Sequence, residues 1–347
     1  MSRLVRPLRI VIADDSALIR RLLSDGLSAR GFDVVGEAAN GDEALALCQR
    51  ERPDVLSLDL AMPGLDGIGV LRNLRDTGSP VKVVVVSAFS PAHGARAVDA
   101  LSEGAFELVP KPVVGQPLDP FLTELADKLR FAAVSRTAVV TPNGNAAQLR
   151  RPATAVPARG VRRTVVIASS TGGPRALATL LPSLPSPLGG GTLVVQHMPE
   201  GFTASLASRL DRSSDLTVRE ARTGDALEPS TVLLAPGGSH VRFSPDGRAR
   251  LSDEPAVGGL RPRADLSIGD AAGVFGPRLL LVVLTGMGKD GLEGAREVKR
   301  RGGRVLVEAE STCTVYGMPR AVAEAGLADA VLPLDALAPA IAAEAGA

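Results

Sequence analysis

Short apolar runs that stop abruptly at polar residues, each followed by a helix-like segment, recur through both halves of this chain. Leu8 to Ala13 stops at Asp14-Asp15-Ser16, Val55 to Leu60 carries Asp59 near its end, and Val81 to Ser87 ends on a serine. In the second half Val165 to Ala168 breaks into Ser169-Ser170-Thr171-Gly172-Gly173-Pro174, and Thr192 to Gln196 runs into His197. Leu279 to Leu284 stops at Thr285-Gly286-Met287-Gly288-Lys289-Asp290-Gly291. Val34 to Ala38, Glu107 to Val109, Thr231 to Ala235 and Arg304 to Glu308 read as further strands. Between them, Ala17 to Arg30 places Leu18, Ile19, Leu22, Leu23 and Leu27 on one helical stripe. Gly41 to Arg50, Arg175 to Leu181, Phe202 to Asp211 and Gly291 to Arg301 read as helices too. Such alternation predicts an α/β fold with parallel sheets and helices on both faces. In those sheets functional groups gather at the carboxyl ends of the strands.

At 347 residues the chain exceeds one ordinary core, so two such sheets are expected. The pattern lapses between them. Residues 129–161 are rich in Thr, Ala, Pro, Asn, Gly and Gln, and Pro142, Pro152 and Pro157 forbid a continuous helix. The expected organisation is therefore a first domain over 8–128, a flexible linker over 129–161 and a second domain over 162–345. Arg136, Arg150, Arg151 and Arg159 make the linker basic, but without interleaved aromatics a solvated tether is favoured over a nucleic-acid arm. A net charge of +1 and 45% hydrophobic residues describe a globular protein, not one devoted to nucleic acid. No apolar run approaches the roughly 20 residues of a membrane span, and the first residues lack a signal-peptide pattern. Cys48 and Cys313 have no metal-type spacing and read as buried thiols. The expected location is the cytoplasm.

In the first half, Asp14, Asp15, Asp59, Ser87 and Lys111 all fall at predicted strand ends. Three carboxylates brought together repel one another, and a hard divalent cation such as Mg²⁺ relieves that repulsion. A lysine beside them can neutralise a phosphoryl group that a serine hydroxyl also bonds. Helix capping would explain one of these acids but not the whole set. In the second half, the Ser169-Ser170 break presents a hydroxyl and backbone N–H groups at a helix start, as nucleophilic serines are presented. From that stretch alone a capped turn explains it equally well. The chain has 3 histidines: His93 in a first-domain helix, His197, and His240. By spacing, His197 reads equally as a base or a structural residue, whereas His240 reads better as a turn histidine bonded to backbone. Asp290 can orient a base or cap the helix after it.

Asp14-Asp15, the run from Asp59 through Met62-Pro63-Gly64 to Asp66-Gly67, Ser87-Ala88 and Lys111-Pro112 resemble a response-regulator receiver domain of flavodoxin-like fold. The resemblance implies that Asp59 is phosphorylated by a histidine-kinase partner, with Mg²⁺ held by Asp14, Asp15 and Asp59. Ser87 and Lys111 would read the phosphoryl group. Ala61 and Leu108 depart from the family, which commonly has a polar residue and a switching aromatic there. A switch through the domain interface is the expectation in their place.

Ser169-Ser170-Thr171-Gly172-Gly173, Gln196-His197-Met198-Pro199, Ala235-Pro236-Gly237, the Thr285 to Gly291 run and Tyr316-Gly317-Met318-Pro319 resemble chemotaxis protein-glutamate methylesterases. With the receiver, that resemblance covers nearly the whole chain and implies two doubly wound parallel-sheet domains. It implies Ser170 as nucleophile, His197 as general base and acid, Asp290 as orienting carboxylate, and backbone N–H groups near Thr171 and Met287 as oxyanion donors. Methyl-accepting chemoreceptors would be the substrates, demethylated with release of methanol and deamidated at selected glutamines. The unphosphorylated receiver would block the catalytic face. The esterase chemistry requires no cofactor, and neither nucleic-acid binding nor membrane insertion is implied. Two readings compete: the same triad on a non-chemotaxis methylated protein, and a phospho-dependent interaction module with an inert esterase domain. Ala168 stands where glycine is common, and Leu260 to Asp265 resembles a family segment with serine in place of Arg263. Neither departure is expected to touch the three catalytic positions.

Overall fold

The computed structural model describes residues 6–88, 91–112, 115–135 and 162–346, with Pro91 to His93 described by backbone alone. The expected linker beyond residue 135, and the side chain of His93, lie outside the described residues. The chain divides into two units, split between the last helix of the first sheet and the first strand of the second.

The first unit alternates β1 (Leu8–Ala13), α1 (Ala17–Ser28), β2 (Phe32–Ala38), α2 (Gly41–Glu51), β3 (Val55–Leu58), α3 (Gly67–Asp76), β4 (Lys82–Ser87), α4 (Pro91–Ser102), β5 (Glu107–Pro110) and α5 (Leu118–Val134). Its sheet runs β2-β1-β3-β4-β5, every pair parallel. Ile10, Val11, Ile12 and Ala13 are all buried, as a strand covered on both faces requires. Side-chain caps set the starts of α2 and α3. Asn40 Oδ1 accepts from Glu43 N at 2.9 Å while Glu43 Oε2 accepts from Ala39 N at 2.8 Å, and Asp66 Oδ1 accepts from Gly69 N at 2.8 Å. Helix α5 continues past the expected domain edge at 128, because Leu125, Leu129 and Ala132 stay on one buried face.

The second unit contains β6 (Thr164–Ser169), α6 (Gly173–Leu180), β7 (Thr192–Gln196), α7 (Phe202–Asp211), β8 (Thr217–Glu220), β9 (Thr231–Leu234), β10 (His240–Phe243) and β11 (Ala249–Ser252). It continues with α8 (Ala264–Phe275), β12 (Leu279–Val283), α9 (Leu292–Arg300), β13 (Arg304–Glu308), α10 (Met318–Glu324), β14 (Ala330–Leu332) and α11 (Leu334–Ala345). The parallel sheet runs β14-β13-β12-β6-β7-β9-β8, beside an antiparallel β10-β11 hairpin. The first strand, β6, thus lies inside the sheet. The chain builds outward on one side of it and returns on the other, which puts the topological switch at the carboxyl ends of β6 and β12.

The apolar pattern does not announce β8, β10, β11 or α8. Arg219, Arg242 and Arg250 interrupt the three strands, and Gly269 and Gly273 thin the stripe of α8. Ile268 of α8 nevertheless packs so tightly on α9 that a Cβ on Gly294 would lie 2.7 Å from it. Cys48 and Cys313 are buried free thiols. Among the described residues no helix is long and apolar enough to cross a membrane. Leu129→Ala should cost the first unit about 2–5 kcal/mol in urea unfolding of the full chain. A loss below about 0.5 kcal/mol would mean that the last turns of α5 are unpacked.

Candidate active site and acidic cluster

Strand register brings the second-unit candidates together. β6 pairs with β7 through Ser169↔Gln196, and His197 N donates to Ser169 O at 3.0 Å. On the other side β12 pairs Val283↔Ala168, and Ser170 N donates to Thr285 O at 3.0 Å. Ser170 therefore stands one residue beyond β6, between the ends of both neighbours. The turn that holds it is tight: Gly173 N donates to Ser170 O at 2.8 Å, and Gly172 adopts φ +80°, where a Cβ would collide with Thr314. Helix α6 starts immediately after.

His197 Nε2 lies 2.7 Å from Asp290 Oδ2. With an ionised aspartate accepting there, Nε2 carries the proton and Nδ1 keeps the lone pair a base needs. Among the described residues no hydrogen bond joins Ser170 Oγ to His197, and such contacts commonly close only around substrate. Asp290 is 3% exposed. Its Oδ2 also accepts from Ala264 N at 2.7 Å, and Oδ1 accepts from Asp265 N and Gly291 N at 3.0 Å each. Burial pushes the carboxyl upward, but the bonds from His197 and the backbone outweigh it and hold Asp290 below the usual carboxylate range. Capping of α9 falls to Asp265, whose Oδ1 accepts from Gly291 N and Gly294 N at 2.9 Å each.

One expectation needs correcting. Arg263 does touch the candidate triad, with Nε 3.2 Å from Asp290 Oδ1. Arg263, Ala264 and Asp265, where α8 begins, wrap the aspartate. His240 bonds backbone on both sides as expected, but from a strand: Nδ1 accepts from Arg263 N at 3.1 Å and Nε2 meets Pro255 O at 3.3 Å.

Several supporting residues lie within the motif runs, but the sequence does not show what they hold. Gln196, 1% exposed, donates through Nε2 to Ser170 O at 2.9 Å and His197 O at 2.8 Å, while its Oε1 accepts from Ser169 Oγ at 2.7 Å. One buried amide thus fixes both candidate residues. Thr285 Oγ1 donates to Thr171 O at 2.9 Å, and Thr285 N donates to the buried Glu308 Oε2 at 2.8 Å. Burial pushes the Glu308 carboxyl up. A Cβ on Gly286 would lie 2.8 Å from Ser170 Cβ, so the loop carrying Met287 passes directly against the serine. Gly286 also bridges to Tyr316, which explains the Tyr316-Gly317-Met318-Pro319 run as the brace of that loop. Thr171 is buried and Met287 is 46% exposed.

In the first unit, Asp14, Asp59 and Ser87 are buried at strand ends and Asp15 is exposed. Oxygens of Asp14, Asp15 and Asp59 lie within 4.8 Å of one another. An all-carboxylate donor set is hard, and fits a small divalent cation. Lys111 Nζ lies 2.6 Å from Asp14 Oδ2 and 2.9 Å from Asp59 Oδ2, and its backbone N donates to Ser87 O at 2.8 Å. Burial pushes the Asp14 carboxyl up, with the Lys111 ammonium opposing it. Leu108 is buried within β5 and Ala61 is exposed.

A phosphoacceptor-type acidic pocket and a serine–histidine–aspartate site, each at strand ends of its own α/β unit, define a receiver coupled in sequence to a hydrolase. Residues 10–119 match the response regulator receiver domain, and residues 165–341 match the CheB methylesterase family. The chain belongs to the protein-glutamate methylesterase/protein-glutamine glutaminase family. It is 42% identical to the protein of that name from Symbiobacterium thermophilum, covering 98% of this chain and 97% of the relative. A relative of the same name from Nocardioides is 42% identical over 96% of this chain and 94% of its own. The crystal structure of the Thermotoga maritima CheB methylesterase catalytic domain aligns with a TM-score of 0.50 at 44% identity, covering 52% of this chain and 97% of that domain.

A methyl on Gly173 would collide with Gln196 Oε1 and lie 2.8 Å from Ser169 Cβ. Gly173→Ala should therefore destabilise the second unit by about 1–3 kcal/mol in denaturant unfolding. A cost within about 0.5 kcal/mol would show that the Gln196 clamp is loose.

Proposed function

We propose that this protein is a phosphorylation-activated chemoreceptor methylesterase in which Ser170, His197 and Asp290 act as one unit. The observation that carries the reading is the 2.7 Å His197–Asp290 bond beside the strand end that presents Ser170. Ser170 Oγ attacks the γ-carbonyl of a glutamyl methyl ester while His197 takes its proton. N–H groups of Thr171 and Met287 bond the developing oxyanion. The carbon–oxygen bond to the methoxy group breaks, and methanol leaves with the proton from His197. Water, deprotonated by His197, then cleaves the acyl-enzyme to free glutamate carboxylate and Ser170. A glutamine side chain enters the same path, with ammonia leaving instead. Asp290 keeps the His197 proton on Nε2 throughout.

In the receiver, Asp59 accepts a phosphoryl group from a histidine-kinase partner. Asp14, Asp15 and Asp59 would hold Mg²⁺, which neutralises charge on the transferring group, and Lys111 and Ser87 contact the product. The work is adaptation in chemotaxis, on the cytoplasmic parts of methyl-accepting receptors.

Methanol release from methylated receptor membranes, with and without a small-molecule phosphodonor, tests this. Wild-type release should rise with the phosphodonor, and Ser170→Ala should lose ~10⁴-fold in kcat. Ser170→Ala should still be phosphorylated. Asp59→Asn should keep basal release and lose its stimulation. Residual turnover above a few per cent in Ser170→Ala refutes the nucleophile, and no release from receptors refutes the substrate. Chelation of divalent cations should abolish phosphorylation of Asp59, followed by retention of ³²P; undiminished labelling would remove the metal role.

A further inference from the structure

We propose that Arg263 is a positioning residue of the ester-cleaving site: its guanidinium bridges Asp290 and Asp265 and fixes the aspartate that orients His197. This rests on the catalytic reading of Ser170, His197 and Asp290. Three consecutive residues converge on the Asp290 carboxylate: Arg263 through Nε at 3.2 Å, Ala264 through its N–H at 2.7 Å and Asp265 through its N–H at 3.0 Å. The other arms of the guanidinium are also tied. Nη2 donates to Asp265 Oδ2 at 3.0 Å and Nη1 to Val257 O at 3.1 Å. The backbone beneath is held by the buried ring of His240. A planar fork with two arms hydrogen-bonded and the third ion-paired is pre-organised, as a lysine ammonium could not be.

The charge arrangement gives the fork a task. Oδ1 of Asp265 and Oδ1 of Asp290 both accept from the same Gly291 N–H, at 2.9 and 3.0 Å. Two carboxylates so close repel, and Arg263 is the cation that touches both. Without it, the pair carries excess negative charge, and the proton that His197 takes from Ser170 is bound more tightly and released less readily. The Asp290 carboxylate is also freer to turn toward water. The charged and titratable groups around the His197 ring and its aspartate are Asp290 itself before α9, Arg263 and Asp265 at the start of α8, and His240 on β10. Lys289 and Glu200, on the flanking loops, are exposed.

The test compares Arg263→Met, Arg263→Lys and Asp265→Asn in the full chain. Arg263→Met should move the acidic limb of the kcat/KM profile upward by about one pH unit. It should also move the downfield proton resonance of the His197 Nε2–H. Arg263→Lys should return the limb toward wild type, and Asp265→Asn, which removes the opposite charge, should move it downward. Opposite shifts from neighbouring positions cannot come from general loosening of the fold. An unmoved limb and resonance in Arg263→Met, or shifts of the same sign in Arg263→Met and Asp265→Asn, overturn the proposal. In Ser170→Ala the resonance is read without turnover, so failure of the nucleophile assignment and failure of the Arg263 role are distinguished.

Discussion

The buried carboxylate of Asp290 is the point on which the second unit turns. It lies in the loop between β12 and α9, takes donors from the α8 and α9 starts, and bonds the ring of His197, the residue after β7. A charge with so little exposure is tolerable only when its oxygens are satisfied. Satisfying them draws together segments that are distant in sequence. The start of α8, a helix with a weak apolar stripe, is fixed where it is because its first N–H groups belong to Asp290. The same bonds leave one nitrogen of His197 free of the aspartate, as the proposed base role requires. In the proposed mechanism, stability of the local fold and fitness for acyl transfer are thus one arrangement.

Around that anchor the parallel sheet supplies precision. Ser170 and His197 each follow the last member of a registered strand pair, so their separation is set by the ladder and not by loop choice. Gln196 then bonds the carbonyls of both. Thr285 couples the turn after Ser170 to Glu308 one strand further out. The first unit applies the same logic to a different chemistry, gathering Asp14, Asp59, Ser87 and Lys111 at strand ends around an acidic pocket.

Most of this was legible from the chain alone. Apolar runs broken by Asp14-Asp15, Asp59, Ser169-Ser170, His197 and Thr285-Gly286 located the strand ends, because strands buried on both faces must be continuous and their ends must change character. Residues whose role depends on contacts across the fold were not legible. Gln196 reads as the polar last residue of a strand, and nothing in its neighbours says that its amide spans two carbonyls. Arg263 appears as a departure in a loop, and only the start of α8 brings it onto Asp290. Short strands such as β8 and β10 carry arginines that pair with acids outside their own strand, Arg219 with Asp225 and Arg242 with Asp270, so their pattern is polar although their backbones are in register.

The central claim is that Ser170 reacts because His197, held by Asp290, takes its proton. Covalent labelling by a fluorophosphonate reads that directly, since phosphorus mimics the carbonyl attacked and the adduct stays on the nucleophile. Peptide mass spectrometry should find the adduct on Ser170, with the labelling rate falling ~10³-fold or more in His197→Gln. Labelling at Ser169 or elsewhere, or a rate on Ser170 that is unchanged by His197→Gln, would contradict the account.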